Sequence, residues 1–213
     1  MTVNTTTTPA TRRMLWAGVI GGPLFIGAVV IQELTRAGFD PREHALSQLS
    51  TGDLGWLQIT NFIVSGLLFV AAAVGIRRVL HPGRAGRWGP WLIGIFGGAL
   101  VWGGVFVADP ANGFPPGTPE GSPDELSWHG ALHAVAPALA GIAILVACFV
   151  FARRFAGLGQ RGWAGYSVAT AVVYLILAFA SFPAGDFRLM LAGGAVAWLW
   201  PSAVAAKLLR GAS

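Results

Sequence analysis

The chain has 213 residues, 54% of them hydrophobic and only 11% charged, with thirty Gly, nine Trp and a formal net charge of +5. A soluble domain carries about a quarter charged residues, so this composition excludes one and points to a membrane protein. The basic excess does not indicate nucleic acid, because Lys and Arg fall in short clusters between apolar runs; the single cysteine, Cys148, leaves no intrachain disulfide, Cys-based zinc site or iron–sulfur cluster.

Residues 1–13, MTVNTTTTPATRR, are polar and Thr-rich and read as a disordered cytoplasmic tail. The apolar run from Met14 is too long for a signal-peptide core and no small-x-small cleavage pattern closes it, so it reads as a retained anchor. A helix crosses the hydrocarbon core with roughly twenty apolar residues. Six stretches qualify, at 14–33, 57–76, 89–108, 130–152, 163–182 and 189–209. They predict an all-α polytopic membrane protein with six transmembrane helices in one domain over residues 14–210. Pro23, Pro137 and Pro201 inside these runs mark expected kinks.

The basic residues give the direction. Arg12 and Arg13, then Arg77, Arg78, Arg84 and Arg87, then Arg153, Arg154 and Arg161, and finally Lys207 and Arg210 all fall on one side. Arg36, Arg42 and Arg188 fall on the other, together with the acidic loops. The positive-inside rule then puts both termini in the cytoplasm of a multi-pass protein of the inner (plasma) membrane. Trp56, Trp88, Trp91, Trp128 and Trp163 lie near span ends, as interfacial anchors do. Spacings such as Gly18-x-x-x-Gly22 and Gly94-x-x-x-Gly98 suit close helix packing within the bundle.

In the first outer loop, Asp40-Pro41-x-Glu43 is a helix-start signal, predicting a short interfacial helix over 41–50 with His44 and Ser47 on one face. The second outer loop carries five prolines and repeats the signal as Ser122-Pro123-Asp124-Glu125, so the fourth helix is expected to begin near Pro123. His129 and His133 would then share a face about 6 Å apart. Asp109, at the end of span three, would lie at the same depth.

Three of the four histidines thus gather on one rim near Asp109. The spacing H-x-x-x-H on a helix suits two ligands of zinc or another divalent ion. His44 is the candidate third metal ligand, and Asp109 and Ser47 are the candidate catalytic groups: metal-bound water would attack an ester, amide or phosphate, and Ser47 would orient it. The structural alternative is a cluster that only fastens the outer loops, with His129 a water-exposed interfacial residue. Polar span residues (Gln32, Glu33, Gln58, Asn61) concentrate in the outer half, and Glu33 is expected at the same mouth. The apolar inner half disfavours a channel, and the lack of paired broken-helix repeats disfavours a transporter.

The segments HALSQLSTGDLGWLQITNFIVSGLLFVAAAVGIRR, ADPANGFPPGTP and SWHGALHAVAPALAG together resemble the bacterial six-helix membrane family catalogued as domain of unknown function nine-nine-eight. The resemblance covers nearly the whole chain after residue 13. It implies a six-span inner-membrane protein, with His44, Ser47, Asp109, Asp124, His129 and His133 as the family-like polar positions, and it implies no activity. A weaker similarity of residue types links Ser47, Asp109 and the three histidines to the alkaline-ceramidase-type membrane hydrolases, which place Ser, Asp and three His around zinc; those proteins have seven spans. Two expectations follow. One is a metal-assisted hydrolase or other enzyme acting on a lipid or amphiphile of the surrounding bilayer, with no nucleic-acid partner; the other is a non-catalytic membrane scaffold or accessory protein.

Overall fold

The computed structural model describes residues 8–211. Among them the regular structure is helical: α1 (Pro9–Thr35), α2 (Gly55–Leu80), α3 (Trp88–Val105), α4 (Trp128–His133), α5 (Val135–Gly157), α6 (Arg161–Ala184) and α7 (Phe187–Arg210), with a 3-10 turn at Leu46–Ser50. Six of these units are long and apolar enough to cross a membrane, α4 and α5 acting together as the segment Trp128–Gly157. The break between them sits at Ala134 because Pro137 has no N–H to offer the His133 carbonyl.

The six spans form a ring in chain order. Each packs on its sequence neighbour, and α7 closes the ring against α1. Small residues set the closest approaches, since in hydrocarbon there is no water to drive helices together. A Cβ on Gly66 of α2 would lie 2.6 Å from the Gly97 carbonyl of α3, and one on Gly97 equally close to the Gly66 carbonyl. Between α1 and α7, Gly22 N–H donates to Ser202 Oγ at 3.1 Å. The interior is filled by Phe25, Phe69, Phe96, Phe151 and Trp200, whose indole N–H donates to Ser167 Oγ at 3.0 Å. Large apolar side chains such as Ile31, Leu34, Ile142, Ile176 and Phe179 face outward, as lipid contact requires.

Several boundaries differ from the sequence expectation. α1 begins at Pro9, so residues 9–13 of the expected disordered tail are helical: Thr8 caps the helix by accepting from Thr11 N–H at 3.3 Å, and proline occupies the first turn. The rest of that tail, residues 1–7, lies outside the described residues. The expected helix over 41–50 is a turn followed by the five-residue 3-10 turn. The fourth span starts at Trp128, with Ser127 as its cap, and the Ser122-Pro123 signal starts no helix. Trp56, Trp88, Trp91 and Trp128 are exposed at span ends, whereas Trp163 packs inward under the Lys207 ammonium, 4.9 Å from its ring.

Candidate functional site

His44 is held by the loops it joins. Its Nδ1 accepts from Asp40 N–H at 2.8 Å, which puts the ring proton on Nε2, and Nε2 donates to the Asn112 carbonyl at 2.7 Å. Asn112 Nδ2 returns a bond to the Glu43 carbonyl, and Gln48 Nε2 donates to the Ala111 carbonyl at 2.8 Å. The ring packs against Phe39 and Phe114, with centroids 5.2 and 5.3 Å away, and those two rings also meet each other edge to face at 5.2 Å. Arg36 completes the plate: its two Nη atoms donate to the Leu49 and Thr51 carbonyls, and its guanidinium lies 5.5 Å above the Phe114 ring. Burial pulls the Arg36 guanidinium below its usual range, and Asp53 opposes that shift.

Asp109 joins the end of α3 to the start of α4. Its Oδ2 accepts from Ser127 N–H at 2.8 Å and its Oδ1 from Ser127 Oγ–H at 2.5 Å, while Ser127 Oγ accepts from Gly130 N–H. A Cβ on Gly130 would collide with the same carboxylate, so glycine is the residue that admits it. The two histidines of α4 do lie on one face, and that face meets the end of α3. His129 Nδ1 donates to the Val107 carbonyl at 2.9 Å and lies 3.7 Å from Asp109 Oδ1. His133 Nδ1 donates to both the Phe106 and Gly103 carbonyls, at 2.6 and 3.1 Å. One turn apart on α4, they cap carbonyls that a helix end leaves without partners.

The expected three-histidine metal ligand set is therefore not assembled: both ring nitrogens of His44 serve the backbone, and the α4 pair turns toward α3. Among the described residues no three His, Cys, Asp or Glu side chains are grouped to hold a metal ion. Asp109, expected as a catalytic group, has both oxygens engaged by Ser127.

What the structure does bring together is a cavity of about 190 Å³ in the half of the ring next to the α1–α2 and α3–α4 loops, the outer half of the expected topology. The first outer loop roofs it with His44 and Ser47, and α3, α5 and α7 wall it with Leu100, Ala140, Leu191 and Trp198. Glu33, Tyr174 and His133 are its remaining polar lining, and no Lys or Arg contributes. His133 is buried, and with its proton held on Nδ1 its Nε2 carries a lone pair that meets no donor among the described residues. Glu33 was legible as a mouth residue from its position. Tyr174 was not, since a tyrosine in an apolar run gives no signal; its hydroxyl lies against Gly141, where a Cβ would collide with it.

Beside the cavity, α1 and α2 share a buried polar seam. Gln32 Nε2 donates to Gln58 Oε1 at 2.8 Å, and Asn61 Nδ2 donates to the Phe25 carbonyl and to the same Gln58 oxygen. Gln32 Oε1 and Gln58 Nε2, an acceptor and a donor, have no partner among the described residues.

A family model described as a protein of unknown function (DUF998) matches residues 19–207. No curated protein and no solved structure matches the chain.

Proposed function

The chain belongs to the DUF998 family of multi-pass membrane proteins, and we propose that it binds the polar end of a neutral or cationic amphiphile in the cavity of its outer half. The observation that carries the proposal is His133: a buried imidazole with a fixed Nδ1–H and an open Nε2 acceptor, in an apolar cavity whose only acidic group is Glu33. Ionisable groups at membrane depth are costly and are kept for binding or chemistry. An acceptor and a carboxyl without a guanidinium or ammonium favour a hydroxyl or amine over a phosphate or carboxylate headgroup. The apolar walls suit the first part of an alkyl chain.

The test is quenching by brominated long-chain amphiphiles added to the protein in phosphatidylcholine nanodiscs, read against a Trp198→Phe variant because Trp198 lines the cavity. The amine and the alcohol should quench Trp198 and the carboxylate of equal chain length should do so at least tenfold more weakly. Glu33→Gln should remove the preference for the amine over the alcohol. Equal quenching by the carboxylate, or quenching unchanged in Trp198→Phe, would overturn the proposal.

A second reading, the scaffold, draws on a specific observation: His44, Asp109 and His129 all bond to loops or helix ends. It differs in outcome, since a scaffold would lose stability in these variants and show no amphiphile preference. The basic asymmetry supports a cytoplasmic location for both termini in an inner membrane; reporter fusions at each terminus and at Gly117 test that orientation, and a periplasmic terminus would reverse it.

A further inference from the structure

At the opposite end of the bundle, the turn between α2 and α3 and the last turn of α5 enclose an open concavity of about 700 Å³. It is lined by the small residues Gly83, Ala85 and Ala156 and by Arg84, Arg87, Arg153 and Arg154, together with Trp88. The sequence pattern accounts for arginines at this end but not for their convergence, since the two pairs are separated by some seventy positions and meet only in the fold. Arg154 builds the site: its Nη1 donates to the Arg84 carbonyl at 2.6 Å and ties α5 to the turn. Its Nε is buried and has no hydrogen-bond partner among the described residues. The side chains of Arg84, Arg87 and Arg153 donate no hydrogen bond to any described residue. Arg87 instead lies over the Trp88 ring, 5.4 Å from its centroid.

No Asp or Glu among the described residues balances this cluster. All nine acidic residues belong to the other end of the bundle, from Glu33 through the two outer loops to Asp186. Four guanidiniums around one concavity repel one another. That repulsion is relieved by an anion with several acceptor oxygens, and the planar guanidinium fork matches a phosphate.

We infer that this concavity binds the phosphate of an anionic ligand, supplied by a phospholipid headgroup of the adjacent leaflet or by a soluble phosphate compound. The concavity lies at the ends of three spans with an exposed tryptophan in its lining, the depth at which headgroups sit. The site is separate from the outer cavity and stands or falls independently of it.

Mass spectrometry of the intact protein, released from detergent, reads the lipids it retains from a mixture of phosphatidylglycerol and phosphatidylcholine. The wild type should retain phosphatidylglycerol in preference. The double variant Arg87→Gln/Arg153→Gln should lower that retention about tenfold, as expected for the loss of two charge-assisted contacts. The control Arg12→Gln/Arg13→Gln removes the same charge from the same end, outside the concavity, and should change retention less than twofold. The double variant Arg87→Lys/Arg153→Lys keeps the charge without the fork and should fall between. Arg154 is left intact because it holds the turn, so the thermal midpoint of each variant should match the wild type. Displacement of the lipid by millimolar inorganic phosphate would assign the site to a soluble compound, and retention in its presence to the lipid. Equal losses in the two glutamine doubles, or equal retention of both lipids with no competition by phosphate, would overturn the inference.

Discussion

At the loop-bearing end of the bundle, outer in the expected topology, several ionisable groups are turned on the protein itself, whereas at the opposite, inner end Arg84, Arg87 and Arg153 are turned away from it. His44, Asp109, His129 and Arg36 each bond the backbone of a second segment, so that two loops without regular structure over much of their length are tied into one plate. Arg84, Arg87 and Arg153 at the inner end have no such partner, and no acidic residue lies there to supply one. Residue type alone separates the two ends poorly, because a histidine or aspartate on a membrane rim reads as a functional group in either case. The distinguishing property is what remains uncommitted. By that measure His129 and His133 are each bonded on one nitrogen and open on the other, and of the two it is His133 that is buried and lines the cavity.

The comparison breaks most readily at His44. His44→Ala removes a donor and an acceptor from part-buried backbone groups and takes one ring from the triangle it forms with Phe39 and Phe114. We expect a loss of about 3 kcal/mol, read from the thermal midpoint in detergent, with phosphatidylglycerol retention at the inner end unchanged. A neutral result would mean that the outer plate is not held as described. Asp109→Asn is milder, since an amide still offers one acceptor to Ser127 N–H but loses the charge-assisted bond to Ser127 Oγ; about 1 kcal/mol is expected in the same measurement. Loss of stability in Asp109→Asn comparable to that in His44→Ala would make the α3–α4 clamp, and not the loop plate, the dominant fastening.

The division between legible and illegible features has a physical basis. Hydropathy and charge recover the six spans because each span must satisfy its own backbone in lipid. They also put His129 and His133 on one face beside Asp109, since helical spacing decides that. The partners of those side chains are mostly backbone carbonyls of other segments, which every residue carries and no pattern marks. Asn112 and Gln48, which fasten the first loop to the second, went unnoticed for the same reason. The failed helix at 41–50 shows a local contest. Asp40 does start a turn, accepting from Glu43 and His44 N–H, but His44 then reaches back to Asp40 N–H and Ala45 is extended. Gln48 Oε1 takes the Ala45 N–H that a continuing helix would have bonded internally, so the chain restarts as a 3-10 turn. At the second loop Asp109 selects Ser127 over Ser122 as the helix cap, a choice set by a residue 18 positions earlier.

The smallest effect belongs to Asp186, an outer carboxylate with a local partner. It caps α7 by accepting from Arg188 N–H at 3.0 Å and pairs with the Arg188 guanidinium at 2.6 Å. These hydrogen bonds hold its carboxyl below the usual carboxylate range, with the charges of Arg188 and Arg42 adding to the shift. A carboxyl lowered in the folded state stabilises that state above its unfolded value, and the contribution disappears as pH falls through the folded value. Asp186→Asn keeps a cap acceptor and removes only the charge. Its thermal midpoint should therefore lie slightly below the wild type near neutrality and merge with it in acid, the gap shrinking further in high salt because the pair is exposed. A gap that persisted below the folded value, or was indifferent to salt, would assign Asp186 to the buried plate instead of to a local helix start.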